Sequence, residues 1–356
     1  KSLSGTTVIN TGNDDDQLTI KNDANTLNDI ANNLTIDLGD GQDTLNISDA
    51  GETTTDAGIL TDHTLTGFGI LPSKTIEYRN TEELNIDLGA GQDTLTIEGT
   101  HPQNTNIHSH DGNDSHFVKS LSGTTVINTG NDDDQLEVRS TDATAVTTIY
   151  LGRGNDILRG YAPANSDSYP TMPSITSSDR TTLDTVLQTK PTTMEELLSQ
   201  IILVAGDGTD RAELFSTEPN YQESEYQLRK LAQNYSVTTR RADTNHDLLA
   251  YYHDLEILNL YLDDSQNRLL ADGTTSLTTV YMDYLSSPDA PGQADTVVAG
   301  DESKLLSELN GTLNIHAGPG ANVTDMLVAH HNAATVPGVI TLSANNHNGP
   351  STGHIL

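Results

Sequence analysis

The sequence LGDGQDTL at residues 38–45 is the most informative stretch of the chain, because the chain returns to it twice in nearly the same form. Residues 88–95 read LGAGQDTL, and residues 151–158 read LGRGNDIL. Glycine at two alternate positions allows the backbone to adopt positive φ, and the leucine that follows Asp by two residues resumes an apolar pattern. We interpret the motif as a glycine-rich turn between two β-strands.

Apolar and polar residues alternate on both sides of this turn. LTIDLG (34–39) and LNIDLG (84–89) precede it, and DTLNIS (43–48) and DTLTIE (93–98) follow it. Strict alternation is typical of strands with one buried face. The residues predicted to point into the core around the first motif are Leu34, Ile36, Leu38, Leu45 and Ile47.

Two repeat lengths organise the chain. KSLSGTTVINTGNDDDQL at 1–18 returns unchanged at 119–136, an offset of 118 residues, and the turn aspartates Asp93, Asp114, Asp134 and Asp156 lie 20 to 22 residues apart. A period near 20 residues with two short strands predicts one rung of a parallel β-solenoid. The expected fold class is therefore all-β, a parallel β-solenoid of the β-roll or β-helix kind with loop and short helical excursions.

The repeats divide the chain into three expected regions. Residues 1–160 hold regular calcium-binding rungs, residues 161–270 hold rungs with Pro-rich and helical insertions, and residues 271–356 are degenerate rungs or a C-terminal cap. In the second copy a strand pattern runs into the repeat from residues 116–118. We therefore expect residue 1 to continue from a strand of a larger polypeptide.

The longer gaps between turns predict excursions from the solenoid. Loop excursions are expected at about 49–80, 161–199 and 216–250. Helices are predicted after the capping-box pattern Thr193 to Glu196, over 218–234 and over 301–311. The segments IEYRNTEELNIDL (76–88) and AYYHDLEILNLYL (250–262) place Tyr and Glu at matching offsets, which predicts that two excursions re-enter the solenoid alike.

Composition excludes several partners and chemistries. The net charge is −34, from 51 acidic and 17 basic residues, so nucleic acid and anionic membrane surfaces are unfavourable partners. The chain has no cysteine. It also contains no run of about 18 apolar residues, the length that would predict a membrane-spanning segment. It has no nucleotide-binding glycine loop before a helix and no HExxH or GxSxG signature, so we do not expect an enzyme.

The turns carry the oxygen ligands that calcium prefers. Calcium takes six to eight oxygens at about 2.3–2.6 Å, and turns on rungs about 4.8 Å apart can supply carboxylates and glycine carbonyls jointly. We therefore predict several Ca²⁺ ions, although the same motif also suits an ordinary turn in which Asp caps its own loop. The candidate metal residues are Gly12, Asp14, Asp16, Gly39, Asp40, Gly41, Asp43, Gly89, Gly91, Asp93, Gly112, Asp114, Gly130, Asp132, Asp134, Gly152, Gly154, Asp156, Gly206, Asp207, Gly208 and Asp210.

Histidines cluster in THPQNTNIHSHDGNDSH (100–116). His108 and His110 share one side of a strand, a spacing that suits zinc or copper. The interpretation that we favour is a polar, solvent-facing surface.

The turns resemble the nonapeptide repeats of RTX proteins, the hemolysin-type calcium-binding repeats with the pattern G-G-x-G-x-D-x-U-x, where U is apolar. LGDGQDTLN, LGAGQDTLT and LGRGNDILR fit it with Leu for the first Gly, and both TGNDDDQL copies place Asp at the second Gly. The resemblance implies a calcium-loaded parallel β-roll that is exported in a low-calcium form and folds outside the cell. RTX turns recur every nine residues with calcium on both edges. Here they recur about every 20, so we expect ions on one edge only.

These observations predict a calcium-stabilised structural or adhesive module that is secreted or held at the cell surface. It would be a rigid rod segment of a large surface protein or filament, similar in layout to long bacterial surface proteins. The expected partners are calcium and either further copies of the chain or surface glycans. The alternatives are a carbohydrate-active or glycan-binding β-helix that uses calcium, and a calcium-dependent glycan-binding module at the C-terminal end.

Overall fold

The computed structural model describes residues 3, 5–139, 145–161, 200–215, 223–230, 236–242, 245–262, 266–271, 273–282, 295–299, 311–316, 326–329, 340–343 and 354–355. These residues form thirty β-strands and no helix. Accordingly, no helix of the described segments is long and apolar enough to cross a membrane.

The strands are short, mostly of four or five residues, as expected where a glycine-rich turn interrupts the alternating pattern. In chain order they are β1 (Thr7–Asn10), β2 (Gln17–Ile20), β3 (Leu34–Asp37), β4 (Thr44–Ser48), β5 (Ala57–Leu60), β6 (Thr64–Gly67), β7 (Ile76–Arg79), β8 (Glu83–Asp87), β9 (Thr94–Ile97), β10 (Asn104–His108), β11 (Ser115–Val118), β12 (Thr124–Asn128), β13 (Gln135–Val138), β14 (Val146–Tyr150), β15 (Arg153–Gly154), β16 (Ile157–Tyr161), β17 (Gln200–Val204), β18 (Asp207–Gly208), β19 (Arg211–Phe215), β20 (Glu223–Lys230), β21 (Ser236–Ala242), β22 (Asn245–His253), β23 (Ile257–Tyr261), β24 (Gln266–Ala271), β25 (Leu277–Tyr281), β26 (Thr296–Ala299), β27 (Thr312–His316), β28 (Met326–Ala329), β29 (Ile340–Ser343) and β30 (His354–Ile355).

Two sheets of fourteen strands each contain all but two of these strands. The first sheet has the order β1-β3-β7-β6-β5-β9-β11-β13-β16-β19-β23-β25-β27-β29. The second sheet has the order β2-β4-β8-β10-β12-β14-β17-β22-β21-β20-β24-β26-β28-β30, and β15 and β18 form a small ladder of their own. The chain passes back and forth between the long sheets, whose strands are mostly parallel. This all-β arrangement is consistent with the solenoid that the repeats predict.

The core lies between the two sheets, as the alternating pattern predicts. All five residues predicted to point inward around the first motif, from Leu34 to Ile47, have no exposed surface. The register also aligns one isoleucine from each of five neighbouring strands of the second sheet, and every one is at most 1% exposed. This isoleucine column consists of Ile47, Ile86, Ile107, Ile127 and Ile149. Stacking of identical β-branched side chains fills this part of the interior, whereas the aromatic side chains of Phe68, Tyr78 and Tyr226 are buried elsewhere in the core.

Two excursions are additional strands of the sheets rather than loops. β5, β6 and β7 are inserted into the first sheet, and β20, β21 and β22 are inserted into the second; the middle strand of each set is antiparallel to its neighbours. The segments 76–88 and 250–262 occupy equivalent positions, because each contains the end of an inserted set and the strand that follows it. The similarity between these two segments therefore reflects a shared structural role.

The helix predicted over 218–234 is wrong, because β20 covers residues 223–230. Tyr226 and Leu228 are both fully buried, so the apolar period there is two and not the helical spacing of Leu228 and Leu231. Most of the predicted helix after Thr193 lies outside the described residues, and the end of the apolar run that follows its capping box, at 200–202, belongs to β17 and not to a helix. Most of the helix predicted over 301–311 and the Pro-rich excursion also lie outside the described residues.

The long repeat visits the two sheets an odd number of times. Eleven strands, β1 to β11, precede the second copy. A visit is one continuous stay of the chain in one sheet, so β5, β6 and β7, which lie side by side in the first sheet, make one visit. The chain therefore makes nine visits, alternating between the two sheets, before the second copy begins. TVIN of the first copy is therefore β1 in the first sheet, whereas TTVIN of the second copy is β12 in the second sheet. Identical sequences thus lie in opposite sheets.

Candidate metal-binding turns

The glycine- and aspartate-rich turns occupy both edges between the sheets. Those at 11–16 and 38–43 lead from the first sheet to the second, which defines the first edge. Those at 88–93, 109–114, 129–134, 151–156 and 205–210 lead from the second sheet to the first, which defines the second edge. We predicted that only one edge would carry the ion-binding turns, and this arrangement is wrong. Between the turns at 38–43 and 88–93 the chain runs through β4, the set β5 to β7, and β8, an odd number of sheet visits, so these two turns of the first copy lie on opposite edges.

A column of aspartates runs along the second edge, one from each rung. In each step the backbone N–H of one residue donates to a carboxylate oxygen of its counterpart on the next rung. The steps are Asp56 to Asp93 at 2.8 Å, Asp93 to Asp114 at 2.7 Å, Asp114 to Asp134 at 2.8 Å, Asp134 to Asp156 at 2.8 Å, Asp156 to Asp210 at 3.0 Å, and Asp210 to Glu256 at 3.0 Å. The column therefore links seven successive acidic residues through six acidic side chains that accept the same contact.

A shorter column follows the same rule on the first edge. The N–H of Asp16 donates to Oδ1 of Asp43 at 2.7 Å, and the N–H of Asp43 donates to Oε2 of Glu82 at 2.8 Å. Further along the chain, the N–H of Asn267 donates to Oδ1 of Asp295 at 2.7 Å.

Sequence reasoning missed the glutamates of these columns. Glu82 and Glu256 follow the inserted strands β7 and β22, and their longer side chains take the place that Asp has in the other turns. The two glutamates have matching offsets in the segments 76–88 and 250–262, and this match is the sequence signal from which their shared position could have been predicted. Asp56 and Asp295 were missed because neither glycine position of the motif, two or four residues before the aspartate, holds glycine.

The second carboxylate oxygen of most column residues is buried without a hydrogen-bond partner. This holds for Oδ2 of Asp16, Asp43, Asp114, Asp134, Asp156 and Asp210. Leaving a buried carboxylate oxygen unpaired costs free energy, because water no longer solvates it. These oxygens therefore mark positions where a proton or a cation would be stabilising.

Burial also shifts the pKa values of the second-edge column. It raises the pKa of Asp114 to about 7, of Asp134 to about 8 and of Asp210 to about 7, and neighbouring carboxylates add to each shift. The pKa of Asp156 rises to about 6 for the same main reason. Without a cation, the column therefore holds protons at pH values where ordinary aspartates are ionised.

The turn glycines allow neighbouring rungs to approach closely. Gly152 has φ of 89°, and a Cβ at this position would lie 1.9 Å from the carbonyl oxygen of Gly130. Asp14 and Asp132 stand where the repeat pattern places its second glycine, and both adopt positive φ, at 79° and 81°. Asp tolerates this conformation better than most residues, so the turn survives the substitution.

The structure separates the predicted ligands into two groups. Asp16, Asp43, Asp93, Asp114, Asp134, Asp156 and Asp210 belong to the columns. Asp14, Asp40, Asp132 and Asp207 lie exposed at the tips of the turns. In the part of the chain that the structure describes, no three His, Asp or Glu side chains are grouped to hold a metal ion by themselves. A cation in a column would therefore also need backbone carbonyls.

The four clustered histidines divide between core and surface. Within the core, His101 contacts Thr105 and His116 contacts Ser109, each at 2.9 Å, and burial lowers the pKa of His116 to about 4. His108 and His110 are exposed at the second edge. Nε2 of His110 lies 3.5 Å from Oδ1 of Asp87, which raises the pKa of this histidine.

No protein-family model, curated protein or solved structure matches the chain. Its function is therefore argued from the geometry of the columns and the surface beside them.

Proposed function

We propose that the chain is a calcium-stabilised parallel β-solenoid that serves as a rigid structural or adhesive rod segment of a secreted or cell-surface protein. The observation that carries this proposal is the pair of acidic columns, in which Oδ2 of six aspartates is buried without a hydrogen-bond partner. The resemblance of the turns to RTX repeats supports the same class of protein.

The charge of the columns favours a bound cation at neutral pH. Buried charges in proteins are paired or coordinate metals, because desolvation is otherwise too costly. The chain carries 51 acidic residues against 17 basic ones, so its own Lys and Arg side chains are too few to neutralise the carboxylates. Calcium would neutralise the column and would draw neighbouring turns together.

The chemistry of the donors favours calcium over other metals. The columns offer carboxylate oxygens, and the glycine-rich turns beside them offer backbone carbonyls, which are the ligands of a hard cation. They contain no thiolate, and the exposed histidines lie outside them, so zinc and copper are less suited. Magnesium demands a tight octahedral shell and retains several waters, which a buried column does not favour.

Calcium binding would make rigidity depend on the environment. In the metal-free chain the carboxylates repel one another, and the buried oxygens destabilise the stacked turns. When calcium is bound, its binding free energy contributes to folding. A rod that stiffens where calcium is abundant suits a spacer, an adhesin stalk or a filament subunit outside the cell.

Self-association is the expected partnership of such a rod. Each strand of the two long sheets pairs with a strand of the next rung, mostly in parallel. The same pairing can join one copy of the chain to another, so head-to-tail assembly through the sheets is part of the proposal. The glycan-binding alternative is favoured by a groove on the second edge.

Thermal melting followed by circular dichroism tests this proposal. The full chain is melted in chelator, in millimolar calcium and in millimolar magnesium at the same ionic strength. We expect a rise in Tm of at least about 15 °C that is specific to calcium, because several sites contribute together. Equal Tm values in chelator and calcium would mean that the turns are ordinary turns and the proposal is wrong.

A further inference from the structure

A groove of about 490 Å³ runs along the outside of the second edge. Its floor is the backbone at Gly130, Gly152 and Gly206, and its walls include His108 on one side and Arg153 at the turn tips. It crosses four rungs, from β10 to β17, which corresponds to a length of about 14 Å. None of the column aspartates lines it, although the turn residues Gly130, Gly152, Gly206 and Asp207 that do line it were also predicted to bind metal. The groove lies on the outer side of these turns, and the column carboxylates lie in the buried part of the same edge.

The floor of the groove consists of bare backbone because no side chain fits there. A Cβ on Gly130 would lie 1.8 Å from the carbonyl oxygen of His110, and a Cβ on Gly206 would lie 2.0 Å from that of Gly152. All three floor glycines also have positive φ, between 89° and 106°. The same close stacking that holds the rungs together therefore keeps a continuous trough open.

The main-chain donors of the turns are already used within the stack. The N–H of Asn131 donates to the carbonyl of His110 at 2.7 Å, and the N–H of Arg153 donates to the carbonyl of Gly130 at 2.9 Å. The N–H of Asp207 donates to the carbonyl of Gly152 at 2.9 Å. A peptide that adds a strand needs free main-chain groups, so the groove is poorly suited to one. A ligand there would be recognised by side chains.

The side chains of the walls offer both donors and acceptors in nearly balanced charge. The amide of Asn131 donates to Asp111 at 2.6 Å, and Nε of Arg153 lies 3.6 Å from Oδ2 of Asp207. On the opposite wall, His108 pairs in register with Asn128 on the next strand of the second sheet. Asn128 pairs in turn with the half-buried Tyr150 on the strand after that, so the three residues form one row along the outer face of the sheet. The lining contains no aliphatic side chain that would hold a lipid and no excess of positive charge for a polyanion.

We propose that this groove binds a neutral, extended oligosaccharide. Sugar hydroxyls both donate and accept hydrogen bonds, and they recur along a chain as the wall residues recur from rung to rung. Tyr150 provides an aromatic ring at the margin of the groove against which a sugar can pack. The inference gives the adhesive part of the proposed function a ligand class. It rests on the stacked turns and does not require that calcium occupy them.

Binding of defined tetrasaccharides to the full chain tests the proposal. Linear tetrasaccharides of neutral hexoses are titrated by calorimetry in calcium buffer, with uronic-acid tetrasaccharides and an extended tetrapeptide as competing classes. We expect saturable binding of at least one neutral probe and at least tenfold weaker binding of the other two classes. If no neutral probe binds, or if a polyanion or the peptide binds more tightly, the inference is wrong.

Two groove variants and a matched control place the binding site. Arg153→Ala and His108→Ala remove one side chain from each wall, and we expect each to weaken binding at least fivefold. Arg79→Ala is the control, because Arg79 is also an exposed arginine paired with an aspartate, Asp37, at 3.0 Å but lies on the first edge. Equal loss in all three variants, or no loss in any, would overturn the assignment.

Melting curves of the same samples separate this inference from the proposed function. A variant whose Tm falls is replaced by Asn128→Ala, which changes the wall without altering a turn. If calcium leaves Tm unchanged while a neutral glycan binds, the rod proposal fails and the groove stands. If calcium raises Tm while no glycan binds, the groove fails and the rod proposal stands.

Discussion

The backbone N–H of Asp114 donates a 2.8 Å hydrogen bond to Oδ1 of Asp134 on the next rung. The same contact recurs from Asp134 to Asp156, also at 2.8 Å. Each carboxylate thereby fixes the turn of its neighbour with one oxygen and leaves the other without a partner. Stability and cation affinity of the columns should consequently be coupled, because one side chain serves both.

Asp134→Asn should have opposite effects with and without calcium. Asn retains an oxygen that accepts the hydrogen bond from Asp114 but carries no charge, so the calcium-free chain should be equally stable or slightly more stable. In calcium we expect the Tm gain to fall by several degrees, because the cation loses a carboxylate. Asp133→Asn is the control, since Asp133 lies exposed in the same turn and accepts the N–H of Asn155. If both variants respond alike to calcium, Asp134 is not a ligand.

Calcium-free stability should fall as pH rises from about 5 to about 8. The folded pKa of Asp134, about 8, lies above its value of about 3.9 in an unfolded chain, so the folded state holds a proton that the unfolded state releases. The resulting stability is fully present below the unfolded value and is lost as pH rises through the folded one. Guanidinium titrations in chelator should therefore show a lower midpoint at pH 8 than at pH 5. An equal or higher midpoint at pH 8 would contradict the shift, and Asp134→Asn should flatten the dependence.

Gly152→Ala should destabilise the chain by at least about 2 kcal/mol, because it combines positive φ with a Cβ placed 1.9 Å from the carbonyl oxygen of Gly130. Gly99→Ala is the matched control, since nothing lies within 4 Å of a Cβ at that position. We expect the control to change the free energy of unfolding by less than about 0.5 kcal/mol. Equal losses in chemical denaturation would show that close stacking of the turns is unimportant.

Ile107→Ala should cost about 2–5 kcal/mol, because this side chain is fully buried in the isoleucine column and its loss leaves a cavity between two rungs. Ile59→Ala is the control on another strand, where the side chain is 45% exposed. Denaturation in calcium measures both variants. A cost below about 1 kcal/mol for Ile107→Ala would mean that the thin core contributes little.

The sequence alone predicts the parts of this molecule that depend on local pattern. Alternation around LGDGQDTL identified the strands and the buried residues from Leu34 to Ile47, because successive side chains of a strand point to opposite faces of the sheet. It also identified the column aspartates that follow a glycine pair. Both predictions rest on contacts that every repeat makes in the same way.

What the sequence did not predict depends on contacts between distant segments. The strand at 223–230 was taken for a helix, because its propensity favours one and its pairing with β21 and β24 is not visible locally. Glu82 and Glu256 were missed because a longer acidic side chain reaches the position of Asp only after an inserted set of strands. The edge of each turn was missed because it depends on counting every sheet visit along the chain.

Nine sheet visits per long repeat make the duplication a screw operation: the second copy is advanced along the sheets and exchanged between them. TGNDDDQL at 11–18 and its twin at 129–136 consequently lie on opposite edges. A molecule that contacts one edge meets only one of the two. Lengthening the sheets by such a duplication therefore distributes identical turns over both edges instead of accumulating them on one.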